Sequence, residues 1–530
     1  MHRNSKRENR EAPQSPAQVI TGGPLREGLG RTPEMHERGE SYGPVVPAKQ
    51  PNNAARAGAG VVEERGPAKE NAPSKTRPGH RAGTGVSSAL GRVRQVARGD
   101  KEVKFTALLH HVTVESLERA FRALRPEAAP GVDGQTWLAY GQNLGENLRD
   151  LHGRLHRGAF RAKPSRRVYI PKADGRQRPL GIAALEDKIV LRAVVEVLNA
   201  IYEADFLGFS YGFRPGRGQH DALDALSVGL ERKKVNWVLD ADVADFFTKV
   251  DHQWLGKFLR HRIADERILR LIQKWLKAGV IEDGVWAECD EGTPQGAGIS
   301  PLLANVYLHY ALDLWADWWR RRYAHGDMII ARYADDLIFG FEHRRDAERF
   351  WADLGERFAK FALELHPEKT RLIEFGRRAA EQRQARGLGA PETFNFLGFT
   401  HICGTNKNGR FWVRRITISK RMRTKLKDVK SELMRKRHLS IPEQGRWLRS
   451  VVQGHFNYYA VPGNHYALEA FRDQVTRHWC NALRRRSQKT RANWERMHRI
   501  AKRWLPPARV KHPHPRVRFD ARIRGKNPVR

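Results

Sequence analysis

Residues 328–341 read MIIARYADDLIFGF, and no other stretch of the chain restricts its fold as strongly. Two apolar runs, Met328–Ala331 and Leu337–Phe341, flank the adjacent carboxylates Asp335 and Asp336. Short runs rich in Ile and Phe favour strands, and a polar pair between them marks the bend of a hairpin. Burying an unpaired carboxylate is costly, so the bend belongs at an exposed sheet edge. Taken alone, so short a string more often marks a hairpin whose two acids merely solvate its turn.

A second apolar run ends in the same way. VNWVLDADV (235–243) places Asp240 and Asp242 two residues apart, on one face of a strand. Acids at the ends of separate buried strands are what nucleotidyl transfer requires, because that chemistry uses two metal ions about 3.5–4 Å apart. Mg²⁺ takes hard oxygen ligands and keeps several waters, so two or three carboxylates suffice. Phe247 follows Asp242 by five residues, where an aromatic ring can close over a sugar and reject a 2′-hydroxyl; an ordinary core Phe has the same spelling. GTPQGAGISP (292–301) is a Gly-rich loop leading into a helix, where backbone can approach a ligand closely. In IPKADGRQRPLG (170–181) the cations Lys172 and Arg178 flank a turn, either to grip a triphosphate or to solvate a surface.

Charge points to the partner. Lys and Arg number 96 against 59 Asp and Glu, a net charge of +37, and cations that neutralise phosphates release condensed counterions. Residues 401–530 hold 34 Lys and Arg against 7 Asp and Glu, so more than two thirds of the excess lies there. Trp447, Tyr458, Tyr459, Trp479, Trp494 and Trp504 are interleaved with it, a mixture suited to RNA, although several of these rings are expected in a core. The run Arg484, Arg485, Arg486 is the candidate RNA contact, with a solvated helix face as the alternative. Only three Cys occur, with no CxxC pair, which argues against a Cys-rich zinc site or a disulfide framework. No apolar run approaches the roughly 18–20 residues of a membrane span. A cytoplasmic protein without a membrane partner is expected.

Residues 1–100 are rich in Pro, Gly and charge and are expected to be a disordered basic extension, with order beginning near Phe105. Helices are expected over 186–206, 346–365 and beyond 415, ending at Pro506-Pro507. The basic tail 506–530 reads as extended, without a compact core.

In order along the chain stand IPKxxGxxRPLGI, FRPxxxxHDA (213–222), DADVxxFF, GTPQGxxISPLLAN, RYADD, LHPEKT (365–370) and FLGF (396–399). Over about residues 101–505 the chain resembles the reverse transcriptases, and within them the group II intron-encoded proteins. The resemblance implies an α+β, right-hand polymerase fold: an N-terminal extension and fingers over 101–235, a palm over 236–400, and a basic helical thumb and maturase region, domain X, over 401–505. It implies an RNA-directed DNA polymerase that also binds its intron RNA and assists splicing and mobility. Its partners would be intron RNA, an RNA template with a DNA primer, dNTPs and target DNA. By matched motifs Asp242, Asp335 and Asp336, with the carbonyl of Val243, would hold two Mg²⁺ ions. Phe247 falls at the sugar gate, Lys172 and Arg178 at the finger cations, Gln295 and Gly296 at the nucleotide-contacting loop, and Lys369 beside the nucleotide. FLGF resembles the primer grip, and WLRSVVQGHFNYYAVPGN (447–464) the NYY element of domain X. Asp245 and Thr248 depart from the pattern, which often has a small residue at the first and an acid at the second. The paired Cys of the HNH endonuclease that some relatives carry are missing, so no such domain is expected. A retron or diversity-generating reverse transcriptase is the alternative, as is a splicing factor with a decayed polymerase domain; the intact acids and Lys369 speak against decay.

Overall fold

The computed structural model describes residues 84–171, 177–282, 285–287, 291–292, 298–486 and 493–523. The chain begins there with helix α1 (Thr84–Gly99), then α2 (Val114–Arg122), α3 (Trp137–Gln142) and α4 (Leu144–His156). Thr113 starts α2, its hydroxyl accepting from the amide of Ser116, a common way to satisfy an orphan donor. A hairpin of β1 (Ser165–Pro171) and β2 (Gln177–Ile182) leads to α5 (Leu185–Asp205), on which α1 packs. Helix α1 therefore lies within the segment 1–100 expected to be disordered, about twenty residues before Phe105, while residues 1–83 of that segment lie outside the described residues. The helix has few large apolar residues, but Leu90, Val93 and Ala97 share a face and are buried. Arg262 then ties its end down, donating to the carbonyls of Ala97, Asp100 and Val103 at 3.1 Å each.

After α6 (Gln219–Arg232) comes β3 (Trp237–Asp242), then α7 (His252–Arg260), α8 (Glu266–Lys277), and the short strands β4 (Val280–Glu282) and β5 (Val285–Ala287). These two complete a sheet of order β2-β1-β4-β5. Helices α9 (Ser300–Leu308) and α10 (Leu314–Tyr323) are joined through a π-turn, His309–Asp313. Strands β6 (Met328–Tyr333) and β7 (Asp336–Phe341), helix α11 (Arg344–Ala359) and β8 (Arg371–Glu374) follow. The central sheet has the order β6-β7-β3-β8, antiparallel throughout.

This sheet explains why its strands read as unbroken apolar runs. Alternate residues serve two cores. Leu239, Ile330, Phe339 and Phe341 face one core with Phe350 of α11, while Val238, Ile329, Ala331 and Ile338 face another with Leu223 and Leu226 of α6. A strand covered on both faces needs no polar alternation.

After α12 (Ala379–Ala385), a third sheet of β9 (Phe394–Phe396), β10 (Phe399–Thr405) and β11 (Phe411–Thr417) has the order β11-β10-β9. Helices α13 (Ser419–Arg435), α14 (Ile441–Tyr459), α15 (His465–Arg484) and α16 (Trp494–Trp504) enclose their own core of Leu433, Leu448, Val452, Phe456, Phe471 and Trp479. Trp479 is thus a core ring, its indole N–H on Gln444 at 2.8 Å, whereas Trp494 remains half exposed.

The tail also departs from expectation. Residues Pro515–Ile523 form a helix, α17, against α6. Phe519 is buried in the α6 core. Arg516 pairs with Glu231 at 3.1 Å, Arg232 with Asp520 at 2.8 Å, and Arg518 with Asp224. Its apolar stripe is too thin to show in the sequence; the acids of α6 supply the rest of the attraction. No helix among the described residues is long and apolar enough to cross a membrane.

Candidate active site

The two acid-bearing strands lie side by side. In the antiparallel register of β3 and β7, Asp242 stands opposite Asp336. The β6–β7 hairpin closes on Tyr333 opposite Asp336, leaving Ala334 and Asp335 as its turn. The sheet thus brings Asp242, Asp335 and Asp336 together at one end of its two inner strands. Burial, first, and then the carboxylates of Asp335, Asp242 and Asp240 push Asp336 well above the usual carboxylate range. Crowded carboxylates of this kind are relieved either by protonation or by a bound cation.

The LHPEKT segment runs along the other side of β3. The amide of His366 donates to the carbonyl of Asp242 at 2.8 Å, and the amide of Ala244 to Glu364 at 2.8 Å. This carries Lys369 over the site, where its ammonium pairs with Asp242 Oδ2 at 2.8 Å. The Lys expected beside a nucleotide therefore sits on a candidate metal ligand. Val243 is buried and forms a bridge with Leu365. Among the described residues no three His, Cys, Asp or Glu side chains converge as a ready-made metal cage. The donor set still fits Mg²⁺: hard carboxylate oxygens, few in number, half-buried at the ends of adjacent strands, are what an ion that keeps its waters accepts.

A buried polar network holds the hairpin turn. Arg332, 1% exposed, makes a two-pronged pair with Asp313 at 2.7 and 2.6 Å. It also donates to Asn305 Oδ1 at 2.9 Å and to the carbonyl of Ala334, in the turn, at 3.1 Å. Asn305 in turn donates to the carbonyl of Gly212 at 2.7 Å. Gly212 lies against the turn so closely that a Cβ there would fall 2.3 Å from the amide nitrogen of Ala334, while Ala334 itself has φ +57°. The π-turn is what lets one arginine reach both partners. An α-helix advances about 100° per residue, so residues 305 and 313 would diverge by about 80°. Absorbing one extra residue in the π-turn returns them to within about 20° of each other. Sequence reasoning passed over Gly212, Asn305, Asp313 and Arg332. The signal was present in ISPLLAN and RYADD, where an amide and an arginine interrupt apolar runs and so need buried partners.

Beyond β3 the backbone turns sharply. Asp245 has φ +43°, a region that Asp tolerates better than most residues, and its carbonyl accepts from the hydroxyl of Thr248 at 2.7 Å. Both departures from the family pattern therefore serve this turn. Phe246 is buried; Phe247 is half-buried beside it, their rings 5.4 Å apart. Gly292, at the start of the GTPQG segment, packs on the backbone of Phe247 and Thr248. Gln295, Gly296 and Lys172 lie outside the described residues. Arg178 is in β2 opposite Ile170. Far from the acids in sequence, Arg484 ends α15, Arg485 and Arg486 follow it, and all three are exposed; Arg486 donates to the carbonyls of Leu439 and His438 at 3.2 and 3.3 Å.

Residues 170–401 match the family described as Reverse transcriptase (RNA-dependent DNA polymerase). The chain is 42% identical over 231 residues to Protein YkfC of Escherichia coli K12, an alignment covering 42% of this chain and 61% of that protein. It is 34% identical over 232 residues to the group II intron-encoded protein LtrA of Lactococcus lactis subsp. cremoris, covering 43% of this chain and 37% of LtrA. A nuclear intron maturase 3 of Arabidopsis thaliana aligns over 125 residues at 29% identity, 23% of this chain and 17% of that protein. The chain thus spans less than two thirds of the length of each of these relatives.

Proposed function

We propose that residues 170–401, which match the reverse transcriptase family and align with a group II intron-encoded protein, are a reverse transcriptase domain, and that the chain copies RNA into DNA, binds its intron RNA and assists splicing and mobility. The observation that carries the reading is the register of β3 against β7, which sets Asp242 opposite Asp336 with Asp335 in the adjoining turn.

On this reading the central sheet is the palm, the β1–β2 hairpin belongs to the fingers, and α13 to α16 are thumb and domain X. Asp242, Asp335 and Asp336, with the carbonyl of Val243, hold two Mg²⁺. When bound, the ions activate the primer 3′-hydroxyl and neutralise the triphosphate and the departing pyrophosphate. The protein's own task is placement. Lys369 keeps Asp242 oriented and screens it from its neighbours. The Arg332 network fixes the turn that carries Asp335. Phe247 stands where a deoxyribose passes and a ribose 2′-hydroxyl would collide. Lys172 and Arg178 grip the triphosphate, while Gln295 and Gly296 line the nucleotide and template. The substrates are dNTPs on an RNA template with a DNA primer. The basic region after residue 401 takes up intron RNA, and target DNA enters during mobility. The setting is the cytoplasm.

Primer extension on an RNA template with Asp335→Asn tests the assignment. Losing one metal-ligand carboxylate should cost several kcal/mol at the transition state, on the order of a thousandfold in rate, and chelation of Mg²⁺ should stop the wild-type reaction. Extension by the variant near the wild-type rate would reject the site.

A further inference from the structure

Asn457, Tyr458 and Tyr459 read in the sequence as the mark of an RNA-binding splicing region. In the structure the two tyrosines point elsewhere. They close over the FLGF turn that joins β9 to β10.

That turn consists of Leu397 and Gly398, both left-handed, with φ +45° and +85°. A leucine there is strained, because its Cβ crowds the following carbonyl oxygen, so something must hold it. Tyr458 does so directly: its hydroxyl donates to the carbonyl of Leu397 at 2.6 Å, and its ring stacks on Phe399 with centroids 5.7 Å apart. From β11's end, the amide of Ile418 donates to the carbonyl of Gly398 at 3.2 Å. A Cβ on Gly398 would stand 2.9 Å from a guanidinium nitrogen of Arg421, 3.1 Å from Tyr459 Oη and 3.4 Å from the Tyr458 ring. Arg421, in the first turn of α13, thus crowds the same side of Gly398 as the hydroxyl of Tyr459. Two tyrosines and one arginine therefore form the seat of the turn.

The other side of the turn faces the acids. Asp240 and Asp336 share one narrow cleft with Leu397, Gly398 and Arg421, and Arg421 is the one cation among the described residues that line it. A nucleic acid strand brought to Asp336 is repelled by the clustered carboxylates. Here it meets an uncharged turn and a single guanidinium instead.

We propose that Tyr458 and Tyr459 are positioning residues for DNA synthesis: by fixing the Leu397–Gly398 turn and Arg421 they set where the end of the growing strand lies against Asp336. The inference rests on the polymerase reading and extends it to a part of the chain otherwise given to splicing.

The test is steady-state extension of a DNA primer on an RNA template by the full chain, with Tyr458→Phe, Gly398→Ala and the two combined. Tyr458→Phe keeps the ring and removes the hydroxyl, leaving a carbonyl without its donor. KM for the primed template should rise roughly tenfold, the size expected for one such bond, with KM for dNTP unchanged. Gly398→Ala, which drives Arg421 and Tyr459 off the turn, should raise the same KM, and the double variant should fall short of the product of the two effects because both act through one turn. Direct titration should agree: the variants should lose the preference for primed over unprimed template while still binding the unprimed strand. A merely structural role predicts a lower kcat from fewer active molecules, with KM for the primed template and the binding preference untouched; that result overturns the proposal. Should Tyr458→Phe fail to fold, Gly398→Ala decides alone. A wild-type chain that extends no primer overturns the polymerase reading itself, and this inference with it.

Discussion

Phe247 shows how far single residues were legible. Its distance from Asp242 and its aromatic character were enough to nominate it, and the turn at Asp245 with the close packing of Gly292 leaves it half-buried beside the acid-bearing strand. Phe247→Ala should open the sugar position and raise the ratio of ribo- to deoxynucleotide incorporation roughly ten- to a hundredfold, the range in which small steric changes discriminate substrates. Competition of matched ribo- and deoxynucleotides in a primer extension assay reads that ratio; an unmoved ratio removes Phe247 from the gate. The juxtaposition of Asp242 and Asp336 followed from acids standing at the ends of two apolar runs, which the sheet sets side by side. Lys369 was legible only through family resemblance. Its pairing with Asp242 at 2.8 Å joins residues 127 apart, and no local pattern announces such a contact.

At the scale of elements, the strands of the central sheet were readable because their apolar runs serve two cores at once. What escaped was the support behind the hairpin turn. Arg332 and Asp313 are a fully buried pair, so Arg332→Met alone should destabilise the protein by about 3–5 kcal/mol, because it strands a buried carboxylate. Arg332→Met combined with Asp313→Leu should recover most of that loss, as apolar replacements of buried pairs usually do. Primer extension should stay slow in the double variant, since Ala334 and Asn305 have lost their common tether. Urea unfolding and extension measured on the same samples separate the two effects. A double variant as active as wild type would mean that the turn needs no arginine. The NYY element taught the converse lesson. Its tyrosines face inward to the FLGF turn, which their spelling did not reveal, because a Tyr at the end of a basic helix serves a core and an RNA surface equally well.

For the whole molecule, the charge asymmetry predicts a division of labour. Intron binding should weaken steeply with salt, with a slope near −0.7 to −0.9 in log K against log salt for each phosphate neutralised. Asp335→Asn with Asp336→Asn should abolish DNA synthesis and leave intron binding and splicing largely intact. Arg484→Ala with Arg485→Ala should shallow the salt slope and impair splicing while a simple primed template is still copied; Arg486 is better left in place, since it closes the loop at His438 and Leu439. Filter binding across a salt series, beside a splicing assay, would show whether those roles are reversed. Long-range assembly was the least legible level. Nothing in residues 506–530 announced α17, because its partners lie in α6. Arg518 and Asp224 are 294 residues apart, and the core beneath the central sheet draws members from Tyr211 to Phe519. During synthesis at roughly 5–20 residues per second, the face of α6 waits on the order of 15 to 60 s for the segment that covers it. This protein is therefore not finished piece by piece from its beginning: the part of α6 that α17 covers stays open to stray neighbours until late in translation.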